Sequence, residues 1–322
     1  MNRRYSLMQG IVVSAAVMLV FSIASLSAAV SVKVCAFRGG DEAGRTEYFS
    51  QINDQAIWGS GVYPTDPAFS GKLLKLVSAN RQFHLWCPGR IDPATSAWFT
   101  GVGMVKPTGA NWFSNGFFSV YLNDEGDPGL EKYPATLDEA TGGETSGVVQ
   151  MSWRHPDALI TVRFILMDGD DKLLMATNVE SRSTKKIEKY GIKLLCYPSD
   201  YAGGSAAGAA IRNREALTNK RVIERPKSDD NQGYAQLALQ KDECWILFYD
   251  KYFDPADLRG SGPCAALYSP RETSSVQTLV GNYACYLYLN YPAATVSHLM
   301  LWEFKDVRNQ AAKDYMKNLQ VK

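Results

Sequence analysis

The chain has 322 residues, with 34 basic and 33 acidic side chains and a formal net charge of +1. Nucleic-acid-binding proteins and polybasic membrane-surface proteins need a clear excess of Lys and Arg, so this charge balance excludes both classes. Hydrophobic residues make up 46% of the chain, which excludes disorder over most of its length.

Residues 1–29 have the pattern of an export signal. Arg3 and Arg4 precede an uninterrupted run of apolar and small residues at 11–30, and cleavage after Ser27 or Ala29 suits a signal peptidase. The alternative is an uncleaved anchor, because a run of about 20 residues just spans a bilayer. We expect cleavage, which places the protein in a bacterial periplasm or outside the cell, with membrane contact only through this segment if it stays attached.

The chain from residue 30 to 304 is predicted to be one large β domain. Strands at 148–155, 158–167 and 173–180 are joined by turns rich in Pro, Gly and Asp, which predicts a meander. Residues 158–167 alternate between apolar and mixed positions, which is typical of a strand buried on one face. Further strands are predicted at 192–197, 244–249, 264–268, 283–291 and 296–304.

Two segments depart from this pattern. Residues 203–233 begin with a run of Gly and Ala and end in polar residues, which indicates a long insertion, either a functional loop or a mobile one. Residues 305–322 are predicted to form a helix packed on the sandwich, with Asp306 as its cap. Its apolar stripe is expected to consist of Val307, Ala311, Tyr315 and Leu319, with Ala312 and Met316 beside the stripe.

The six cysteines are even in number and far apart in sequence, so they do not form the framework of a small disulfide-rich domain. Cys196, Cys244 and Cys285 lie in apolar runs, where Cys often serves as a small buried hydrophobic residue. Disulfide pairing in an oxidising compartment is the alternative, and the sequence leaves both open.

Metal and cofactor motifs are absent from the sequence. There is no zinc helix, phosphate loop or dinucleotide-binding glycine pattern, and the three His have no partner at metal-ligand spacing. The acidic segments 123–127 and 168–171 lack the alternation of a calcium loop and are predicted to be turns. We therefore expect no metal and no cofactor.

Aromatic residues next to polar ones indicate a carbohydrate site. A flat ring covers the apolar face of a sugar while fixed polar groups bind its hydroxyls. The alternative is that the Trp side chains fill the core. The candidate binding residues, among which Arg90, Asn111 and Asp200 would contact hydroxyls or uronate carboxylates, are Trp86, Arg90, Trp98, Asn111, Trp112 and Asp200.

Three residues are weak catalytic candidates: His84, His298 and Glu303. On a strand at 296–304, His298 and Glu303 point to opposite faces and cannot form a close pair. Glu303 lies in an apolar strand, so it is a base with a raised pKa, a carboxylate paired with Arg or Lys, or a residue at the solvated end of the strand.

Segments 148–153 (VVQMSW), 162–164 (VRF), 168–171 (DGDD), 173–179, 192–199 (IKLLCYPS) and 301–304 (LWEF) resemble the middle and end of galactose-mutarotase-like β-supersandwich domains. The chain looks most similar to exported bacterial proteins of this type that have no settled activity. The resemblance implies a large two-layer antiparallel sandwich with a concave carbohydrate-binding face. The epimerases of this superfamily pair a catalytic His with a catalytic Glu, but His84, His155 and His298 lack the flanking pattern of that His.

The resulting hypothesis is an exported protein that binds or processes a glycan or oligosaccharide. If it is an enzyme, it is a sugar epimerase, lyase or glycosidase with a His and a carboxylate as acid and base. The alternative is a non-catalytic envelope or assembly protein whose concave face binds another protein.

Overall fold

The computed structural model describes residues 29–38, 70–79, 81–90, 118–123, 135–196, 198, 214–224, 236–251, 262–281, 285–304 and 307–319. These residues form antiparallel sheets and a short C-terminal helix, which confirms the predicted β-sandwich class. The strands are β1 (Ser31–Arg38), β2 (Ser70–Val77), β3 (Gln82–Arg90), β4 (Phe118–Leu122), β5 (Ala135–Thr141), β6 (Ser146–Arg154), β7 (Ala158–Met167), β8 (Lys172–Ser181), β9 (Lys189–Cys196), β10 (Arg214–Thr218), β11 (Val222–Glu224), β12 (Leu237–Ala238), β13 (Trp245–Asp250), β14 (Cys264–Tyr268), β15 (Ser275–Val280), β16 (Cys285–Pro292) and β17 (Ser297–Glu303), and the helix is α1 (Asn309–Asn318).

The largest sheet has nine strands in the order β11-β10-β13-β14-β17-β8-β7-β6-β5. A five-stranded sheet, β12-β15-β16-β9-β4, and a three-stranded sheet, β1-β2-β3, complete the fold. The three-stranded sheet contacts β5 and β6. Buried side chains of all three sheets belong to one hydrophobic core, as expected for layered sheets that bury one face each.

The meander predicted from the sequence is confirmed as β6, β7 and β8. On β7, Ile160, Val162 and Phe164 are buried, whereas Thr161 and Arg163 lie on the outer face. Successive side chains of a strand point to opposite faces, so this pattern follows directly from the sequence. The strands predicted further along the chain correspond to β9, β13, β14, β16 and β17.

The prediction of a long functional or mobile loop at 203–233 is wrong for residues 214–224. Residues 214–224 form the hairpin of β10 and β11 at one edge of the nine-stranded sheet. All five residues of β10 are buried, including Arg214 and Glu215. Charged residues on a buried strand break the alternation that sequence analysis depends on, and the hairpin was missed for that reason.

Helix α1 packs on the outer face of the nine-stranded sheet, against a cluster that includes Trp245, Tyr249 and Trp302. Its buried residues are Ala312 and Met316, which the prediction placed beside the stripe. Val307 and Leu319 of the predicted stripe pack against the same cluster, whereas Ala311 is exposed. The N-cap is Arg308, with no side-chain capping bond, and not Asp306. Asn309 Nδ2 donates to the carbonyl of Asp250 at 2.6 Å, which ties the start of the helix to the end of β13.

The cysteine side chains that the structure describes are free thiols: Cys87, Cys196, Cys244, Cys264 and Cys285. Cys196 and Cys285 are buried, as predicted, while Cys244 is half-buried. Across the described ranges, no helix has the length and apolar character needed to traverse a bilayer, and the apolar run at 11–30 lies almost wholly outside them.

Candidate functional site

His298 and Glu272 form a close pair on the outer side of the nine-stranded sheet. Glu272 Oε1 lies 3.2 Å from His298 Nδ1, and Glu272 Oε2 accepts the backbone N–H of His298 at 3.1 Å. One carboxylate therefore holds both the ring and the backbone of the same residue. Because a carboxylate accepts hydrogen bonds, this contact favours a proton on Nδ1 and leaves Nε2 as the atom for a ligand.

Strand geometry brings the two residues together. His298 is the second residue of β17 and lies on its outer face, and its side chain is 65% exposed. Glu272 lies in the turn between β14 and β15, where its backbone N–H donates to the carbonyl of Ser269 at 3.1 Å. The Glu272 side chain is only 28% exposed, so it is held more tightly than a surface carboxylate.

Strand register extends this pair into a row of side chains on the same face. His298 pairs with Ala176 on β8, Ala176 with Arg163 on β7, Arg163 with Gln150 on β6, and Gln150 with Glu139 on β5. Directly opposed residues of antiparallel strands share a face. We call this row, with the polar side chains of the adjacent row, the outer polar face: Glu139, Gln150, Ser152, Thr161, Arg163, Asn178 and His298.

Hydrogen bonds and an ion pair hold the side chains of β5, β6 and β7 on the outer polar face in place. Arg163 forms an ion pair with Glu139 at 3.2 Å, and both side chains are partly exposed. Thr141 donates to Glu139 at 2.8 Å, and Ser152 donates to Asp138 at 3.1 Å. An ion pair open to solvent is weak, so another carboxylate can displace Glu139 from Arg163.

A small residue separates the His298 and Arg163 side chains. Ala176 lies between His298 and Arg163, so these two residues are two strand spacings apart, about 10 Å. The next row along the strands is apolar and half-buried, with Ile165, Leu174 and Met300 in register. The outer polar face is thus a shallow surface with a small residue, Ala176, at its centre. Hydrogen-bonding side chains flank Ala176 on two sides, and apolar side chains border it on a third.

Glu303 does not belong to the outer polar face. It lies on the inner side of β17, 4% exposed, in register with Cys264 of β14. The charges of Glu303 and Arg214 both act on the Cys264 thiol, so Glu303 shares a buried polar region with a cation. The separation of His298 and Glu303 on opposite faces is confirmed, and the two cannot act on one substrate.

The remaining candidates from the sequence lie outside the described residues. Trp98, Asn111, Trp112 and Asp200 fall between the described ranges. The backbone of β3 carries His84, Trp86 and Arg90, but their side chains are not among those described.

A second surface feature is an open cleft of about 650 Å³ beside the β10–β11 turn and the end of α1. Thr218, Lys220, Arg221, Trp245 and Lys317 contribute to its lining. Beneath it, Glu243 accepts hydrogen bonds from Thr218 Oγ1 at 2.6 Å, Gln240 N at 2.6 Å and Arg221 Nε at 3.1 Å. The carboxylate is saturated by its own chain, which is typical of a structural ion cluster. In the ranges given above, no three His, Cys, Asp or Glu side chains are grouped to hold a metal ion.

Sequence analysis identified His298 but missed Glu272 and Arg163 as its companions. Glu272 is 26 residues away on a turn, and no local pattern marks it. Arg163 was recognised only as an outward residue of an alternating strand. The signal for Arg163 exists only in the register of β7, β8 and β17, and the signal for Glu272 exists only in the contact of its turn with β17. Sequence periodicity contains neither.

Neither a family model nor a curated protein matches the chain. Solved structures do resemble it, and they include carbohydrate-active enzymes and mutarotase-like proteins. A GH36 alpha-galactosidase from Geobacillus stearothermophilus is 8% identical with a TM-score of 0.36, over 73% of this chain and 40% of its own. A galactose mutarotase-like protein from Lactobacillus casei is 12% identical with a TM-score of 0.37, over 74% of this chain and 97% of its own.

A xanthan lyase from Paenibacillus is 12% identical with a TM-score of 0.44, over 86% of this chain and 28% of its own. The chain spans about two fifths of the length of the alpha-galactosidases it matches. These solved structures thus include a mutarotase-like protein, the type of protein that the sequence resembles. Fold similarity assigns no activity, so function must be argued from the residues of the site.

Proposed function

We propose that this protein binds and processes a carbohydrate on the outer polar face, with His298 as the group that moves a proton. The observation that carries the proposal is the His298–Glu272 pair, in which one carboxylate fixes the ring and backbone of an exposed histidine. It stands at the end of a row of hydrogen-bonding side chains that are in register.

A sugar ring fits the space over Ala176. His298 and Arg163 flank that residue, and Asn178, two positions along β8, adds an amide that donates to Glu180 at 2.8 Å. Ile165 and Leu174 offer the apolar contact that the C–H face of a pyranose requires. Arg163 suits a carboxylate, because its guanidinium can bind one with two parallel hydrogen bonds. We therefore expect a uronic acid residue to bind better than a neutral sugar.

The chemistry that this geometry supports is proton transfer. An imidazole whose Nδ1 contacts a carboxylate is held as a general base, and the carboxylate stabilises the imidazolium that forms. Glycosidases instead need two carboxyl groups roughly 5 to 10 Å apart across the substrate. Glu272 contacts His298 directly, so the arrangement favours epimerisation, anomer interconversion or lyase-type elimination over hydrolysis.

The test begins with a panel of neutral and uronic acid mono- and oligosaccharides. Binding is measured by calorimetry, anomer exchange by NMR, and elimination by the ultraviolet absorbance of the unsaturated product. For the substrate found, His298→Gln should lower kcat about 100-fold or more with little change in affinity, the usual size of a general-base contribution. Glu272→Gln should lower kcat less and leave KM nearly unchanged.

The matched control is His155→Gln, because His155 lies in the β6–β7 turn, where its Nδ1 accepts the N–H of Asp157 at 3.1 Å. This variant should keep full activity. Equal losses in the His155 and His298 variants would contradict a catalytic role for His298. Binding with no turnover of any sugar would reduce the function to recognition alone.

Arg163 provides a separate test of substrate class. Arg163→Gln should weaken uronate binding about 10-fold to 100-fold, because a hydrogen bond to a charged partner contributes about 1.5–3 kcal/mol. Neutral sugars should bind as before, and the exposed Arg182 supplies the control Arg182→Gln. A uronate affinity that does not respond to Arg163→Gln would overturn this assignment.

We further infer that residues 1–29 direct export and are removed. The folded part supports this, because Val30 is buried and exchanges two backbone hydrogen bonds of 3.0 Å with Gly143 directly after the proposed cleavage site. N-terminal sequencing of the exported protein should find a chain that begins at residue 28 or 30. An intact N-terminus in the membrane fraction would contradict cleavage.

Capture of another protein is the alternative function. The exposed large apolar side chains of the described segments are spread over separate elements, with Val34 on β1, Met167 on β7 and Val222 on β11. A protein-binding face would need such side chains together. If no sugar binds while the protein is folded, this alternative takes precedence.

A further inference from the structure

Three cysteines meet inside the sandwich, on the side of β17 away from the outer polar face. Cys196 is the last residue of β9, and Cys285 and Cys264 are the first residues of β16 and β14. All three are buried free thiols. The Cys196 thiol lies within hydrogen-bond reach of the sulfurs of both Cys285 and Cys264.

Backbone register sets the spacing of one pair. Cys196 and Cys285 are directly opposed on adjacent antiparallel strands. Opposed residues of such strands have Cα atoms about 4.5 or 5.5 Å apart, and a disulfide spans about 4.4 to 6.8 Å. The Cα spacing of the pair therefore lies in the range that a disulfide spans. Cys264 belongs to the opposite sheet, so no shared ladder sets its distance from Cys196.

From this juxtaposition we propose that Cys196 and Cys285 are a redox-active dithiol, which small-molecule disulfides oxidise to a cross-strand disulfide. Each thiol occupies the terminal residue of its strand. Strand ends open at lower free energy than strand centres, so the pair becomes accessible through local fraying and not through global unfolding. This site is independent of the carbohydrate function proposed for the outer polar face.

The Cys196 and Cys285 thiols have different electrostatic surroundings. Burial raises the pKa of the Cys196 thiol well above its ordinary value, and its hydrogen bonds to the neighbouring thiols add to this. Burial also acts to raise the pKa of Cys285, but the hydrogen bond from Cys196, the nearby Arg214 guanidinium and the Gly281 backbone lower it on balance. The Arg214 cation near Cys285 stabilises a thiolate there, so the exchange begins at Cys285 and Cys196 acts as the resolving thiol.

The reaction balances with a disulfide RSSR as oxidant. The Cys285 thiolate attacks one sulfur, which forms a mixed disulfide and releases RS⁻. That RS⁻ takes the proton of Cys196, and the Cys196 sulfur then attacks the Cys285 sulfur and displaces the second RS⁻. The second RS⁻ takes from solvent the proton that Cys285 had released. Two protein thiols lose two electrons, and RSSR becomes two RSH.

The experiment treats the folded full chain with oxidised glutathione, blocks the remaining thiols with N-ethylmaleimide and maps the digest by mass spectrometry. We expect a peptide pair joined through Cys196 and Cys285, and a Tm about 5–10 °C above that of the reduced protein. Cys87→Ser is the matched control, since Cys87 is a buried thiol on β3; it should preserve both results. Cys285→Ser should remove both.

A dominant Cys196–Cys264 linkage would overturn the assignment of the pair. The same holds if all thiols of the folded protein remain reactive under conditions in which the urea-unfolded protein is oxidised. Both readouts come from the wild-type chain, so they remain decisive if a variant fails to fold.

Discussion

Glu243 illustrates how one side chain organises its surroundings. It is 1% exposed and accepts hydrogen bonds from Thr218, Gln240 and Arg221. Burial acts to raise the pKa of Glu243, but these hydrogen bonds and the Arg221 charge lower it on balance from its ordinary 4.5. A carboxyl whose folded pKa is depressed stabilises the fold above its unfolded pKa and loses that contribution as the pH falls through its folded pKa.

The prediction at this scale concerns Glu243→Gln. At pH 7 the variant should lose about 2 kcal/mol of unfolding free energy, because charged hydrogen bonds are replaced by neutral ones. As the pH falls below 4.5, the unfolding free energy of the wild type should decrease more steeply than that of the variant. The values that urea unfolding gives for the two proteins should therefore converge. Glu144→Gln, on an exposed residue, is the control. A constant difference at every pH would contradict the depressed pKa.

Among the elements, α1 shows where sequence periodicity reaches its limit. The sequence of α1 offers two stripes, each with a spacing of four residues. One contains Ala311 and Tyr315, and the other contains Ala312 and Met316. Hydrophobicity alone favoured the first. The second is buried because Asn309 bonds to Asp250, and because Tyr315 stays at the helix edge, where its hydroxyl donates to Asp171 at 3.2 Å.

Adjacent alanines test this phase. Ala312→Leu should lower the unfolding free energy by about 1–3 kcal/mol, because added methylenes in a packed interface force neighbours apart. Ala311→Leu should change it by less than about 0.5 kcal/mol, since that position is exposed. Thermal unfolding followed by circular dichroism compares the two variants. A larger loss of unfolding free energy in Ala311→Leu than in Ala312→Leu would indicate that the stripe through Ala311 is the buried one.

The whole molecule depends on contact between the first sheet and the nine-stranded sheet. A Cβ atom added to Gly147 on β6 would lie 2.6 Å from Val30 Cγ1 and 3.1 Å from Val32 Cγ2. This close approach makes β1 part of the common core.

A double-mutant cycle measures that coupling. Gly147→Ala should destabilise the protein by about 1–3 kcal/mol through overpacking, and Val30→Ala by a similar amount through a cavity. In the double variant the new methyl group occupies the space left by Val30, so the total should be clearly less than additive. Additive effects in urea unfolding would indicate that the first sheet is not packed on β6 in solution.

The sequence by itself determined the fold class, the placement of His298 and Glu303 on opposite faces of one strand, and the eight strands at 148–304 that it predicted. These features depend on the two-residue period of a strand, which is written in consecutive residues. It failed at β10, where Arg214 and Glu215 are buried as charges, and it placed Ala311 of α1 on the buried stripe although that residue is exposed.

Only the tertiary structure decided which residues act together. Glu272 contacts His298, Cys196 lies opposite Cys285, and Arg163 shares a face with His298, although the members of these pairs are 26 to 135 positions apart in the sequence. Such partners are selected by strand register, and register is set by how distant strands bury a common core. Periodicity assigns each residue to a face of its own strand, whereas packing of the sheets determines which other residues share that face.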